Sequence, residues 1–235
     1  MFYKLLKAYK ELGYKIHIGN NKRFPVSIGS DRELSTGLGA SITDVAFFFG
    51  LANIFKPERI LCIGNAFGYS TLCIAEIFKG IPIDAIDAEC EGSDNQKGSE
   101  LTRQISQKYY NNQVNLQIGY SPQDLKLFSG QMYDFIFIDA YHDNDHLLAD
   151  FNGVLPYAKP SCVMYLHDVG LTNMLVAWEQ IKDSNGFKGY NIDFTNFGCK
   201  GMVRNLSEVQ SWFEFLNASP FPLYQNPPAV FDNLR

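Results

Sequence analysis

The sequence predicts an α/β chain built on a doubly wound, mainly parallel sheet of seven strands, closed by an antiparallel hairpin strand at the C-terminal end. Three observations predict it. Short β-rich apolar runs alternate five times with stretches of helical periodicity from residue 60 onward, the pattern of repeated strand–helix–strand units. Residues 60–71 read as strand, glycine turn and helix, with Gly64 and Gly68 bracketing the turn. The strands also finish in polar or acidic groups (Asp87, Asp139, His167 and Asp168), where an open parallel sheet binds its ligands.

Taken in order, Phe2, Leu5, Leu6, Tyr9 and Leu12 repeat at helical spacing and Gly13 stops the helix. Residues 17–39 hold Gly19, Gly29, Gly37, Gly39 and Pro25 and predict a surface loop. A second helix spans 41–55. Strands are expected at 60–63, 81–87, 114–118, 134–139, 160–168, 188–194 and 201–204. Of the helices between them, one starts at Tyr69, one follows residues 89–99 and runs to about 110, and two cover about 145–155 and 172–183. Residues 89–99 are polar and predict a mobile loop. Residues 188–204 lack an intervening helix, which predicts the hairpin.

The 235 residues suit a single domain: an N-terminal helical segment over 1–55, a ligand-binding core over 56–205 and an aromatic, proline-rich tail over 206–235. The tail carries Trp212, Phe213, Phe215, Phe221, Tyr224 and Phe231 with four prolines. It is expected to pack across the body, with self-association through the terminal segments as the other reading. A formal net charge of −5 and a pI near 5.4 argue against a nucleic-acid surface. Five scattered cysteines with no C-x-x-C pair read as reduced core thiols, which points to the cytoplasm. No apolar run approaches the length of a membrane span, and the N-terminus does not read as a secretory signal.

The turn reads Gly-Asn-Ala-Phe-Gly-Tyr-Ser over 64–70. A glycine turn before a helix N-terminus presents free N–H groups to a polar ligand, although it also reads as a compact strand-to-helix loop. Asp87 lies 19 residues after Gly68, where a nucleotide-binding acid accepts from ribose hydroxyls. A nicotinamide-dependent oxidoreductase shares these features, but the G-x-G-x-x-G pattern lacks its second and third glycines here.

Residues 63–71 (Ile-Gly-Asn-Ala-Phe-Gly-Tyr-Ser-Thr), Asp87, 119–121 (Gly-Tyr-Ser), 137–142 (Phe-Ile-Asp-Ala-Tyr-His) and 165–169 (Tyr-Leu-His-Asp-Val) together resemble class I S-adenosylmethionine-dependent methyltransferases. The likeness is to small-molecule O-methyltransferases of the catechol O-methyltransferase kind and a bacterial branch with a "FIDAxH…lHDv" pattern. It covers about 40–205. It implies a Rossmann-like sheet and S-adenosyl-L-methionine as cofactor, held by Gly64, Asn65, Ala66, Gly68, Tyr69, Ser70, Asp87, Ser121 and Asp139. In that resemblance Gly64 and Gly68 approach the methionine part, Asp87 the ribose, Ser121 the adenine edge and Asp139 the methyl group. Two positions depart from the pattern: Cys62 replaces an acid, and Ala66 the middle glycine.

The implied reaction is methyl transfer to the hydroxyl of a small molecule, such as a sugar or natural-product intermediate. It is an in-line displacement in which positioning dominates and loss of the hydroxyl proton helps. Metal-dependent relatives carry a carboxylate after the fourth strand and two polar groups after the fifth. Asp139, His167 and Asp168 stand there, as candidate ligands of magnesium or another divalent ion. Without a metal, His142 or His167 is the candidate general base beside Asp139. His142 and His146 also read as a solvated loop–helix junction, and His167 as a tie for its strand end. A methyltransferase-like domain kept as a non-catalytic binding module is the remaining reading.

Overall fold

A computed structural model describes residues 3–18, 26–30, 39–90, 93–170, 174–192, 195 and 198–218. The chain opens with α1 (Tyr3–Glu11), β1 (Tyr14–Ile18), β2 (Val26–Ser30) and α2 (Ile42–Ile54). The central body follows as β3 (Ile60–Ile63), α3 (Tyr69–Ile77), β4 (Ile83–Asp87), α4 (Ser93–Tyr109), β5 (Val114–Ile118), β6 (Tyr133–Ile138), α5 (Asn144–Val154), β7 (Ala158–Leu166) and α6 (Leu175–Ile181). The described part closes with β8 (Lys188–Asn191), β9 (Lys200–Arg204) and α7 (Ser207–Ala218).

Seven strands form one sheet in the order β5-β4-β3-β6-β7-β9-β8. The five from β3 to β7 are parallel, and β9 runs antiparallel to both β7 and β8. From β3 the chain winds outward through β4 and β5, then returns to place β6 on the other flank of β3. The C-terminal ends of β3 and β6 therefore border the switch point, where this architecture opens a crevice.

Alternate strand residues enter two cores. Ile60, Cys62, Phe135, Phe137, Val163 and Tyr165 pack with α1, α2, α3 and α7, whereas Leu61, Ile63, Ile136, Ile138, Met164 and Leu166 pack with α5 and α6. Burial on both faces is why these strands read as unbroken apolar runs.

Three stretches differ from expectation. The segment over 1–55 is not purely helical: β1 and β2 pair antiparallel, with Ile16 opposite Ile28, and Ile28 is fully buried in the main core. The glycines around these strands obscured their short two-residue alternation. In the polar stretch 89–99, α4 already begins at Ser93. Its Gly98 lies against the glycine turn, where a Cβ would come 2.2 Å from the Ala66 carbonyl oxygen, so tertiary contact outweighs weak helix propensity. The start of the tail is helical and packed: Phe213 is fully buried, and Trp212 fills the space over Gly50. Phe221, Tyr224, Phe231 and the tail prolines lie outside the described residues.

Candidate functional site

The glycine turn is held from every side. Gly64 has φ 90°, and a Cβ on it would lie 1.9 Å from the Asp139 carbonyl oxygen, so the close approach of β3 to β6 requires glycine. The Asp87 carboxylate accepts the amides of Asn65 at 2.7 Å, Ala66 at 2.9 Å and Glu89 at 2.7 Å. Gly68 caps α3 with φ 78°, and a Cβ there would strike Thr102 Oγ1 at 2.0 Å. Asn65 Nδ2 donates to that same hydroxyl at 3.1 Å. From α1, the Tyr9 hydroxyl donates to the Phe67 carbonyl at 2.8 Å.

These contacts sort the expected cofactor residues. Gly64, Asn65, Ala66 and Gly68 form the turn itself, with Ala66 at φ 44°. The Tyr69 and Ser70 side chains are buried and engage the segment before α2. Tyr69 lies against Gly39, and Ser70 Oγ accepts the Ala40 amide at 2.8 Å. Asp87 is engaged with backbone amides, although a carboxylate offers about four acceptor sites. Ser121 follows β5, joined by a cis peptide to Pro122, and is half-buried.

Across the switch point lies a cluster of acids and imidazoles. Asp139 leaves β6 with its amide bonded to the Ile63 carbonyl at 2.8 Å. His167 and Asp168 leave the neighbouring β7, where a left-handed backbone at Asp168 (φ 57°) ends strand alternation. Two consecutive side chains thus reach one place: His167 Nδ1 is 3.0 Å from Asp168 Oδ1 and 3.2 Å from Asp139 Oδ1. On the more open side, His142 Nε2 faces Asp139 Oδ1 at 3.4 Å and Asp168 Oδ2 at 3.5 Å. Asp139, His142 and Asp168 present ligand-type atoms all within 4.8 Å of one another. His146 stays apart, capping α5 with Asp143.

One member was missed in the sequence. Asp44 of α2 is fully buried, and its Oδ2 lies 3.2 Å from His167 Nε2. It also completes a capping box with Ser41 and accepts from the Tyr165 hydroxyl and Cys199 Sγ. The Ser-x-x-Asp spacing over 41–44 signals a helix start, but nothing local reports a partner 123 residues away.

The charges interlock. Burial pulls the His167 pKa down, but the Asp139 and Asp168 carboxylates outweigh it and hold the imidazole well above its ordinary value. Burial likewise opposes charge on Asp139, yet His167 and His142 keep its carboxyl low. Burial lowers and Asp139 raises the pKa of His142, with a net rise. The arrangement can hold a cation, orient a hydroxyl and move a proton.

Residues 61–169 match the model of a methyltransferase domain. Solved methyltransferases then superpose on most of the chain. An O-methyltransferase from Bacillus cereus, solved with S-adenosylhomocysteine, is 22% identical with a TM-score of 0.57, covering 70% of this chain and 82% of its own. The chain has the class I methyltransferase fold. The S-adenosylhomocysteine-bound methyltransferase PaMTH1 of Podospora anserina gives a TM-score of 0.59 at 16% identity, covering 87% of this chain and 89% of its own. The O-methyltransferase TomG of Streptomyces achromogenes, involved in tomaymycin synthesis and solved with S-adenosylmethionine, gives 0.56 at 16%, covering 86% and 87%. No curated protein matches the chain. The resemblance read from the glycine turn and the strand ends is thereby met, and the matched stretch runs from β3 to just past Asp168. The stretch matched by the domain model thus includes the turn, Asp87 and the acid–imidazole cluster, but not Asp44.

Proposed function

We propose that the chain is an S-adenosylmethionine-dependent O-methyltransferase that acts on a small hydroxylated molecule, such as a sugar or natural-product intermediate. The observation that carries this reading is the convergence of Asp139, His142, His167 and Asp168 beside the Gly64 turn. The donor set fits both implied groups. Gly64 and Gly68 are packed against Asp139 and Thr102 with no room for a Cβ, which fixes the turn beside the cluster, and the adjoining carboxylates suit a sulfonium cation. Two ligands on one divalent ion at about 2.1 Å lie about 3.0–3.4 Å apart, and the His167–Asp139–Asp168 contacts of 3.0 and 3.2 Å match that spacing.

In this reading the backbone of the turn, Asp87 and Ser121 line the cofactor and orient it. When bound, S-adenosylmethionine would supply a methyl group on sulfur, and a divalent ion, which Asp139, His167 and Asp168 would hold, would supply Lewis-acid polarisation of the acceptor oxygen. His142, on the open side, is placed to take the proton from an acceptor hydroxyl. The Asp139 and Asp168 carboxylates flanking Nε2 stabilise the imidazolium that results. No described helix is long and apolar enough to cross a membrane, and the five free cysteines, four of them buried, suit a cytoplasmic setting.

Calorimetric titration with S-adenosylhomocysteine tests the cofactor, and transfer of labelled methyl to a panel of polyols, sugars and phenols tests the acceptor. Micromolar binding and labelled ether products are expected, with turnover falling at least about 100-fold in His142→Ala. Folded protein that fails to bind S-adenosylhomocysteine would remove the proposal.

A further inference from the structure

His167 is held from two directions. Its Nε2 faces Asp44 of α2, and its Nδ1 faces the Asp139–Asp168 pair. We propose that Asp44 is a positioning residue that presents His167 Nδ1 to the Asp139–Asp168 carboxylates, giving a nitrogen–dioxygen donor set that prefers a transition-series divalent ion of the Co²⁺ and Zn²⁺ kind over Mg²⁺. The inference rests on the methyltransferase reading only for the location of the site.

Hydrogen-bond chemistry decides which nitrogen carries the proton. An ionised carboxylate only accepts, and each Asp44 oxygen is already surrounded by donors. Oδ2 takes the Ser41 amide at 2.7 Å and the Ser41 hydroxyl at 2.6 Å. Oδ1 takes the Tyr165 hydroxyl and, at 3.3 Å, the Cys199 thiol. The His167 ring must therefore donate Nε2–H to Asp44, which directs the Nδ1 lone pair at the carboxylate pair whenever a metal is present. A carboxylate behind a metal-facing imidazole is the usual outer-shell arrangement, and removing it commonly costs about 10–100-fold in affinity. Oxygen-only sets suit Mg²⁺, and an imidazole moves the preference toward softer ions. Asp139, His142 and Asp168 present ligand-type atoms within 4.8 Å, as does a rival set of Asp44, His167 and Cys199. That rival set would have to displace the donors already bonded to the Asp44 oxygens.

The test uses the full chain stripped by chelator and then titrated separately with Co²⁺ and Mg²⁺, with S-adenosylhomocysteine affinity measured in parallel. The wild type is expected to bind one Co²⁺ with visible d–d bands and no thiolate-to-cobalt charge-transfer band. Asp44→Asn should weaken Co²⁺ at least tenfold while Mg²⁺ changes less than threefold. His167→Asp should reduce the Co²⁺/Mg²⁺ affinity ratio at least tenfold. Long-range ¹H–¹⁵N spectra of the Zn²⁺-titrated wild type should show the proton kept on Nε2 and the metal shifting Nδ1, which keeps the proposal testable even if Asp44→Asn misfolds. A thiolate band abolished by Cys199→Ser, a Zn²⁺ shift at Nε2, or parallel loss of Co²⁺ and Mg²⁺ binding in Asp44→Asn each overturns it. Wild type that binds S-adenosylhomocysteine but no Co²⁺ overturns it while leaving the methyltransferase reading intact. Folded wild type that binds no S-adenosylhomocysteine overturns that reading instead.

Discussion

Adding one methyl group at Gly64 should damage both stability and the site. The backbone there has φ 90°, and the new Cβ would lie 1.9 Å from the Asp139 carbonyl oxygen and 2.7 Å from its carbon. A left-handed backbone costs alanine about 1–2 kcal/mol. Overpacking against main chain adds about 1–3 kcal/mol, so Gly64→Ala should lose about 2–5 kcal/mol in all. The strain cannot be relieved by rotating a side chain, because the obstacle is the backbone of β6 as it delivers Asp139. Separation of β3 and β6 would stretch the Asp139 amide bond to the Ile63 carbonyl, now 2.8 Å, and move the Asp139 carboxylate away from His167. Urea unfolding measures the stability, and calorimetry with S-adenosylhomocysteine measures the site. Ala66→Gly is the control: its φ of 44° already suits glycine, so it should be neutral within about 1 kcal/mol. A Gly64→Ala protein within 1 kcal/mol of wild type, with unchanged ligand affinity, would refute the reasoning about this close approach.

Other expectations follow from single contacts. Asp87→Asn removes the charge behind three amide bonds at 2.7–2.9 Å and should cost about 1.5–3 kcal/mol in urea unfolding. A loss of S-adenosylhomocysteine affinity with no change in stability would instead confine Asp87 to ligand binding. Tyr9→Phe deletes the hydroxyl that supports the Phe67 carbonyl and should cost about 1 kcal/mol, read by the same unfolding curves. Asp150 is buried, and burial raises its carboxyl above the usual range against the opposing Ser121 hydroxyl and His146. The folded state therefore binds that proton more tightly than the unfolded state. Its stabilisation is complete below pH about 4 and is lost as pH rises through the folded value. Asp150→Asn should gain on wild type between pH 4 and 8, and a constant gap between their urea midpoints would count against this.

Periodicity and turn chemistry determined much of the molecule. Unbroken apolar strands such as 135–138, buried on both faces, and the glycines at 64 and 68 announced a parallel sheet and its switch-point turn. The acids at the strand ends were legible because a strand that stops at the sheet edge must place its next residue there. Local composition misled where a segment's conformation depends on a distant partner. The β1–β2 hairpin is secured by the burial of Ile28. The first turns of α4 pack Gly98 onto the Ala66 carbonyl.

Other features were decided only by tertiary structure. Tyr69 and Ser70 occupy ligand-like positions in the motif yet face inward, because the segment at Gly39 and Ala40 crosses over them. Asp87 reads as a ribose acid, and the fold adds bonds to the amides of Asn65 and Ala66 that the sequence does not announce. Asp44, 123 residues from His167, reaches the cluster because α2 packs across β6 and β7, with Phe48 against Phe137 and Tyr165. Sequence by itself determines what one chain segment does with its own backbone and with a water-excluding face. Which polar atoms meet inside is set by how distant segments pack, and no local pattern encodes that distance.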